Sequence, residues 1–179
     1  MSRKIIGIAG SLRPGSVTCH AIQQGLQLIE ESGWEIELLD LREMTLPFCD
    51  SSREYPDFPD VQRLREAVQS ADGILLGTPE YHGSLSGVLK NCLDLLENSD
   101  VEGKVFAVLS VLGGSTSMNA VNHVRTICRQ LHAWTVPEQL LIPNSQKAFD
   151  SEGTLVDPVL KGRLQELVSS LCANAEKLR

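Results

Sequence analysis

Hydroxyl, guanidinium and glycine groups are concentrated in one short segment near the N-terminus of this 179-residue chain. The segment runs from Gly10 to Thr18 and includes Ser11, Arg13 and Ser16. It lies between an apolar run and a helical pattern, so its backbone N–H groups and the helix dipole are predicted to converge on one point. These donors suit a phosphate group. The alternative is that Ser16 or Thr18 only caps the helix.

The same segment differs from three known kinds of phosphate loop. Gly10 and Gly15 have the spacing of a Walker loop, but Ser16 occupies the position of its lysine. The Gly-x-Gly-x-x-Gly fingerprint of dinucleotide binding is also missing from this region. A tyrosine-phosphatase loop needs a cysteine followed at a fixed spacing by an arginine, whereas Cys19 comes after the turn and Gly25 stands at that spacing. We therefore expect a phosphate that is held rather than transferred.

A second segment with chemical potential follows a wholly apolar run. It contains Pro79, Glu80, Tyr81 and His82. A proline, an aromatic ring and nearby glycines can form a flat platform, and His82 is a candidate proton donor or hydrogen-bond partner. The alternative is a tight turn with a partly buried tyrosine and an exposed histidine.

The third segment, Ser110–Ser117, contains the adjacent glycines Gly113 and Gly114. Their lack of a Cβ atom permits close backbone approach to a ligand. A serine here is alternatively the cap of the next helix. Taken together, the three segments predict a site with a phosphate end and a flat, polar-edged end, which matches flavin mononucleotide (FMN).

Alternating strand and helix patterns position these three segments. Two of the apolar runs are apolar on consecutive residues, which is typical of strands covered by helices on both faces. The predicted strands are Lys4–Ala9, Glu35–Asp40, Gly73–Thr78, Lys104–Ser110 and Trp134–Ile142. The predicted helices are Ser16–Glu31, Asp60–Ala71, Ser86–Asn98, Met118–Leu131 and Asp157–Leu178, the last with Asp157 as N-cap.

This alternation predicts the α/β class and one domain over residues 1–179. We expect a flavodoxin-like doubly wound three-layer sandwich with a five-stranded parallel sheet in the order 2-1-3-4-5. Ligands bind such sheets beyond the carboxyl ends of the strands, at the switch between the first and third strands. All three chemical segments are predicted to lie at that edge.

Composition excludes several other classes of function. The net charge of −7 disfavours nucleic-acid binding and an anionic membrane surface. No apolar run is long enough to span a bilayer. Five dispersed cysteines without a Cys-x-x-Cys pair argue against a zinc site and fit a reducing, cytoplasmic location. The histidines lack a second ligand at a metal spacing, so we predict no metal site.

Two motifs together resemble the NADPH-dependent FMN reductases, a flavodoxin-like family that includes azoreductases, quinone reductases and chromate reductases. They are Gly10-Ser11-Leu12-Arg13 with Ser16, and Pro79-Glu80-Tyr81-His82 with Ser84, Ser86-Gly87, Leu89-Lys90-Asn91 and Asp94. The later residues Asn122, Arg125, Pro137 and Gln139-Leu140 are similar to the bacterial azobenzene-reductase branch. The resemblance extends over nearly the whole chain.

The resemblance implies an FMN site in three parts. The phosphate would be bound by Ser11, Arg13, Ser16 and Thr18. The isoalloxazine ring would be lined by Pro79, Glu80, Tyr81 and His82. Its pyrimidine edge would be approached by Ser110, Gly113 and Gly114. Many family members have Asn at the positions of Thr18 and His82.

The implied activity is transfer of a hydride from NADPH, or NADH, through bound FMN. The acceptor would be a quinone, an azo compound, free flavin or an oxidised metal ion, and no protein side chain would act as a catalytic nucleophile. Two alternatives stay open: a flavodoxin-like electron-transfer protein without nicotinamide-dependent activity, and a structural or regulatory domain with an empty phosphate loop.

The resemblance also implies a homodimer or homotetramer with the helix Ser86–Asn98 at an interface. The apolar stripe of this helix is wider than one sheet face requires, which is typical of a helix buried on a second side. We therefore expect Leu95 and Leu96 to face outward and to contact a second subunit.

Overall fold

Five parallel strands form the central sheet of the computed structural model, which describes residues 3–179. Counted along the chain, these five strands lie side by side in the order 2-1-3-4-5, which confirms the predicted order of a flavodoxin-like sheet. The strands are β1 (Lys4–Ala9), β2 (Glu35–Asp40), β3 (Gly73–Tyr81), β5 (Val105–Val111) and β6 (Trp134–Ile142). A sixth strand, β4 (Ser84–Leu85), pairs antiparallel with the end of β3 and was not expected.

Helices cover both faces of this sheet, which confirms the three-layer prediction. The helices are α1 (Val17–Glu31), α2 (Pro59–Ser70), α3 (Gly87–Asp94), α4 (Asn98–Val101), α5 (Asn119–Gln130), α6 (Ser145–Ala148) and α7 (Pro158–Leu178). One apolar core joins α1 and α7 to the sheet, and a second core joins α2, α3 and α5 to its other face. Along β3, Ile74 and Leu76 enter one core and Leu75 the other, as period-two alternation requires.

Side-chain caps fix the starts of α1, α3 and α7. Ser16 accepts a hydrogen bond from the N–H of Cys19, and Ser86 accepts one from Leu89. Asp157 accepts bonds from the first turn of α7, as its position before Pro158 predicted. These caps use backbone N–H groups that have no partner inside the helix.

The predicted outward orientation of Leu95 and Leu96 is wrong. The helix α3 ends at Asp94, four residues before the predicted end, and the chain turns inward after it. Leu95 and Leu96 are 1% and 6% exposed and belong to the core that α2 and α3 share. Arg65 of α2 donates a hydrogen bond of 2.9 Å from Nε to the Leu95 carbonyl, which holds this turn against α2. The extra apolar residues therefore serve the protein's own core.

A single side chain of α3 holds the long connection between β2 and α2. Asn91 donates from Nδ2 to the Pro47 carbonyl at 2.8 Å and accepts at Oδ1 from the Cys49 N–H at 2.9 Å. The amide thus satisfies two backbone groups of a segment that lacks sheet pairing. Asn91 is part of the second sequence motif, and its contacts give that residue a structural role.

Close packing at Gly10 brings the first loop against α3. The Gly10 N–H donates to the Gly77 carbonyl at 2.8 Å. A Cβ atom added to Gly10 would lie 2.6 Å from the Leu89 Cβ and 3.0 Å from the Gly77 carbonyl oxygen. Neither neighbour is the end of a flexible side chain. Only glycine fits this position without moving a strand or a helix.

We expect Gly10→Ala to lower the free energy of unfolding by about 1–3 kcal/mol, because the added methyl group overpacks the contact between β1 and α3. Gly162→Ala is the matched control. A Cβ at Gly162 meets no atom within 4 Å, so that change in α7 is expected to stabilise the protein by about 0.5–1 kcal/mol. Urea unfolding of both variants measures the difference. A Gly10→Ala midpoint equal to that of the unsubstituted protein would contradict the packing argument.

Candidate functional site

The three predicted segments meet at one edge of the sheet. β1, β3 and β5 are parallel neighbours, so their carboxyl ends lie together, with Ala9 beside Gly77 and Thr78 beside Ser110. The loop after Ala9, the turn after Tyr81 and the loop after Val111 all begin there. The structure thus brings the sequence-predicted site residues to the switch point of the sheet.

A buried hydrogen-bond network centred on Ser86 joins the first two segments. The Ser86 hydroxyl donates to the Gly10 carbonyl at 2.6 Å and accepts from the Leu89 N–H at 3.2 Å. The Ser86 N–H donates to the Thr78 hydroxyl at 3.0 Å, and that hydroxyl donates to the Pro79 carbonyl at 2.8 Å. Ser86 belongs to the second sequence motif, but its bond to the Gly10 carbonyl and the part played by Thr78 were not predicted. A serine directly before a helical pattern was the signal that could have identified Ser86.

The first turn of α1 presents unused hydrogen-bond donors. The Ser16 hydroxyl accepts from the Cys19 N–H, but within residues 3–179 no acceptor lies within hydrogen-bond distance of the N–H groups of Val17 and Thr18. Ser11 accepts a bond of 3.4 Å from the Arg13 N–H. The side chains of Ser11, Ser16 and Thr18 are buried, whereas Arg13 is exposed. A helix N-terminus with free N–H groups, nearby hydroxyls and an arginine is suited to an anion.

A second cation lies beside the same helix turn. Arg42 pairs with Asp40 at the end of β2, where its Nε donates to the Asp40 Oδ1 at 2.8 Å, and its Nη2 lies 3.6 Å from the Cys19 sulfur. This guanidinium lowers the pKa of Asp40 below its usual range. Burial and the neighbouring carboxylate raise the pKa of the Cys19 thiol, so the sulfur stays protonated and is not a nucleophile.

The second segment forms a two-residue β-turn between β3 and β4. His82 and Gly83 both have positive φ, +51° and +77°, which a type I′ hairpin turn requires. Histidine and asparagine tolerate this left-handed region better than most residues. Tyr81 is 52% exposed at the turn and His82 is exposed. The backbone therefore adopts the tight turn that was the alternative prediction for this segment. The side chains of Tyr81 and His82 are both exposed and accessible to a ligand.

Two side-chain contacts fix this turn against α5. Glu80 accepts a bond of 3.1 Å at Oε2 from the Ala120 N–H in the first turn of α5. The Ser84 hydroxyl lies 2.9 Å from Nδ1 of His123. Glu80 is predicted to line the ring, and its carboxylate here accepts a hydrogen bond at the N-terminus of α5, where the helix dipole favours a negative charge. These two contacts join the turn to the first two turns of the helix.

The third segment contains a polar atom without a partner. The Ser110 hydroxyl is fully buried and has no hydrogen-bond partner, one of two such side-chain atoms in residues 3–179. Buried hydroxyls are usually paired, so an unpaired one at a strand end indicates a missing ligand or water. Gly113 and Gly114 are exposed, and a Cβ at either would meet no atom within 4 Å. Open space therefore exists at Gly113 and Gly114, in the loop that follows the strand end of Ser110.

These observations satisfy the chemical requirements of FMN. The first turn of α1 offers donors for a phosphate, and the open glycines leave room for a polar ring edge next to the strand that carries the unpaired Ser110 hydroxyl. Tyr81 and His82 offer exposed planar side chains. Among the described residues, there is no group of three or more metal-ligating side chains. Likewise, none of the helices described in residues 3–179 is long and apolar enough to cross a membrane.

Comparison with known sequences identifies the family. The family model of NADPH-dependent FMN reductases matches residues 3–147. An NAD(P)H-dependent FMN reductase of Pseudomonas aeruginosa is 34% identical over 183 residues, covering 98% of this chain and 97% of the relative. An NADPH azoreductase of a Bacillus species is 33% identical over 135 residues, covering 75% of this chain and 76% of the relative.

Solved structures agree on the fold. An NADH:FMN oxidoreductase in its apo form superposes with a TM-score of 0.80 at 20% identity, covering 96% of this chain and 89% of that one. A flavodoxin from the domain Archaea superposes with a TM-score of 0.63 at 14% identity, covering 98% of both chains. The match to the family model and the identity to curated relatives show that this chain belongs to the NADPH-dependent FMN reductase family.

Proposed function

We propose that this protein is an NAD(P)H-dependent oxidoreductase that uses bound FMN to pass electrons from NADPH to a small-molecule acceptor. Quinones, azo compounds, free flavin and oxidised metal ions are the acceptor classes. The observation that carries the proposal is the position of the unpaired Ser110 hydroxyl at the same sheet edge as the open first turn of α1. Family membership supports this activity over that of a flavodoxin-like electron carrier.

The protein's own groups bind and orient the cofactor in this proposal. Ser11, Ser16, Thr18 and Arg13 hold the phosphate with the dipole of α1. When bound, FMN supplies hydride acceptance and donation. Pro79, Glu80, Tyr81 and His82 form the ring platform, and Ser110, Gly113 and Gly114 lie at the pyrimidine edge.

No side chain needs to act as a nucleophile. Desolvation raises the pKa of the Cys92 and Cys128 thiols to about 12, so both stay protonated at neutral pH. All five cysteines are free thiols, which supports our proposal of a reducing, cytoplasmic location.

The purified protein provides the direct test of the function. We expect it to bind FMN, to release FMN rather than FAD on heating, and to lose the visible absorption of the oxidised flavin rapidly when mixed with NADPH without oxygen. Chromatography of the released flavin and stopped-flow absorbance measure these properties. A protein that ignores added FMN would refute the proposal. A flavin that NADPH does not reduce would support the electron-carrier alternative.

We expect Arg13→Ala to weaken FMN binding roughly tenfold or more, because a charge-assisted phosphate contact contributes about 1.5–3 kcal/mol. Turnover at saturating FMN should be nearly unchanged, since Arg13 is predicted to lie at the phosphate end and not at the ring. Fluorescence titration with FMN and steady-state kinetics separate the two effects. Arg163→Ala, an exposed arginine of α7, is the control. Tight FMN binding with collapsed turnover in Arg13→Ala would contradict this assignment.

We also propose a homodimer or homotetramer, with an interface beside the first loop rather than at Leu95 and Leu96. A mainly apolar cavity of about 410 Å³ lies between the first loop, the segment that follows β2 and the start of α3. Its lining residues are Leu12, Leu41, Met44, Leu46, Phe48, Gly87, Val88 and Asn91. Phe48 is 90% exposed and Leu12 is 54% exposed. An exposed apolar patch of this kind is typical of an interaction site, and the family resemblance supports a second copy as its occupant.

We expect Phe48→Asp to shift the protein towards monomers, because it places a charge in this patch without disturbing the core. Val159→Asp is the control, since Val159 is 65% exposed on the far helix α7. Light scattering with kinetics on the same samples measures the assembly and the activity. A fully active, monomeric wild-type protein at micromolar concentration would contradict the proposal.

A further inference from the structure

A second, cationic cavity lies along α5, outside the flavin site. Its volume is about 530 Å³, and it lies between α5 and the start of β6. The lining residues are Asn122, Arg125, Thr126, Arg129, Ala133, Trp134 and Thr135. Trp134 is 61% exposed, although a large aromatic side chain is usually mostly buried. The cavity therefore combines two guanidinium groups, an open indole ring and several small hydrogen-bonding side chains.

The charge of these arginines is not neutralised by a direct ion pair. Within residues 3–179, no carboxylate oxygen lies within 4.0 Å of Arg125 or Arg129. Arg125 donates from Nη1 to the Val136 carbonyl at 2.7 Å, which fixes its guanidinium. The hydrogen bond that the Ser170 hydroxyl donates to Glu138 is the main cause that lowers the pKa of that carboxyl, and the charge of Arg125 adds a smaller lowering. In a chain of net charge −7, two such arginines at one cavity indicate an anionic ligand.

The helix α5 connects this cavity to the flavin site. Its first turn holds Glu80, and His123 contacts Ser84 of the hairpin. From Asn119 to Arg129 the helix rises about 15 Å. The cavity includes the first residues of β6, so a dinucleotide whose nicotinamide lies at the hairpin would extend along this length of α5 to place its adenosine end there.

We propose that this cavity binds the adenosine 2′-phosphate end of NADPH, a role that rests on the proposed reductase function. Trp134 offers its face to the adenine ring, and Arg125 and Arg129 bind the phosphate. Arginine is suited to this task because its planar fork of donors matches phosphate oxygens. NADH lacks the 2′-phosphate, so these residues make the enzyme prefer NADPH.

Kinetics with both coenzymes test the proposal. Arg129→Gln is expected to lower kcat/KM for NADPH about tenfold or more, as loss of a charged hydrogen bond does. The value for NADH should be unchanged, since NADH has no phosphate to lose. Arg163→Gln on α7 is the matched control and should leave both values unchanged. Equal effects on NADPH and NADH would overturn the assignment.

Binding without turnover gives an independent readout. Trp134 is exposed and the other tryptophan, Trp34, is buried, so a ligand in the cavity should change the fluorescence of Trp134. Adenosine 2′,5′-bisphosphate is expected to quench this signal in the wild type, to do so weakly in Arg129→Gln, and to compete with NADPH. Trp134→Phe should abolish the signal. Adenosine 5′-monophosphate should bind less tightly, because it lacks the 2′-phosphate.

Other roles of the cavity give different results. If Arg129 only stabilises the C-terminus of α5, Arg129→Gln lowers the melting temperature but leaves the ratio of NADPH to NADH activity unchanged, which overturns the proposal. A change in particle mass with an unchanged ratio would assign this face to a second copy, with the same consequence. A wild-type protein inactive with both coenzymes would refute the reductase function, while quenching by adenosine 2′,5′-bisphosphate would still support the cavity as its binding site.

Discussion

A buried hydrogen bond from the Ser86 hydroxyl to the Gly10 carbonyl holds the site edge of this protein together. It joins the loop after β1 to the first turn of α3, two segments that are 76 residues apart in the sequence. The same serine caps α3 and receives support from Thr78 on the neighbouring strand. Removing one partner would leave a buried carbonyl unsatisfied, which costs about 1–3 kcal/mol. The relative position of the phosphate-binding and ring-facing loops depends on this link.

Glycine packing sets the position of the other helix at this edge. A Cβ on Gly7 or Gly77 would lie within 2.7 Å of side-chain atoms of Ile22, so α1 can approach β1 and β3 only because both residues lack one. This approach places the open first turn of α1 at the ends of the strands. Arg42, paired with Asp40, adds a cation beside that turn. An anion site results from backbone geometry as much as from the serines and arginine of the motif.

The hairpin and α5 form the opposite wall of the site. His82 is held in the left-handed region by a two-residue turn, and Glu80 is bonded to the first turn of α5. In the motif that is predicted to face the ring, the Glu80 carboxylate therefore bonds to α5, while the side chains of Tyr81 and His82 are exposed. Because Ser84 also contacts His123, the helix that carries the cationic cavity is fixed relative to the turn. The hairpin and α5 would together position the coenzyme and the flavin.

The sequence by itself determined the strand order, the layers, the caps of α1 and α7 and the three segments at the site edge, because these follow from local periodicity, capping residues and the parallel arrangement of apolar strands. Tertiary structure alone decided which element covers each apolar side chain. The sequence pattern predicts that Leu95 and Leu96 lie on the outer face of a helix, but α3 ends at Asp94 and both residues pack in the core that α2 and α3 share. The bonds of Asn91 and the cavity at Trp134 likewise depend on residues far apart in the chain, whose proximity no local pattern encodes.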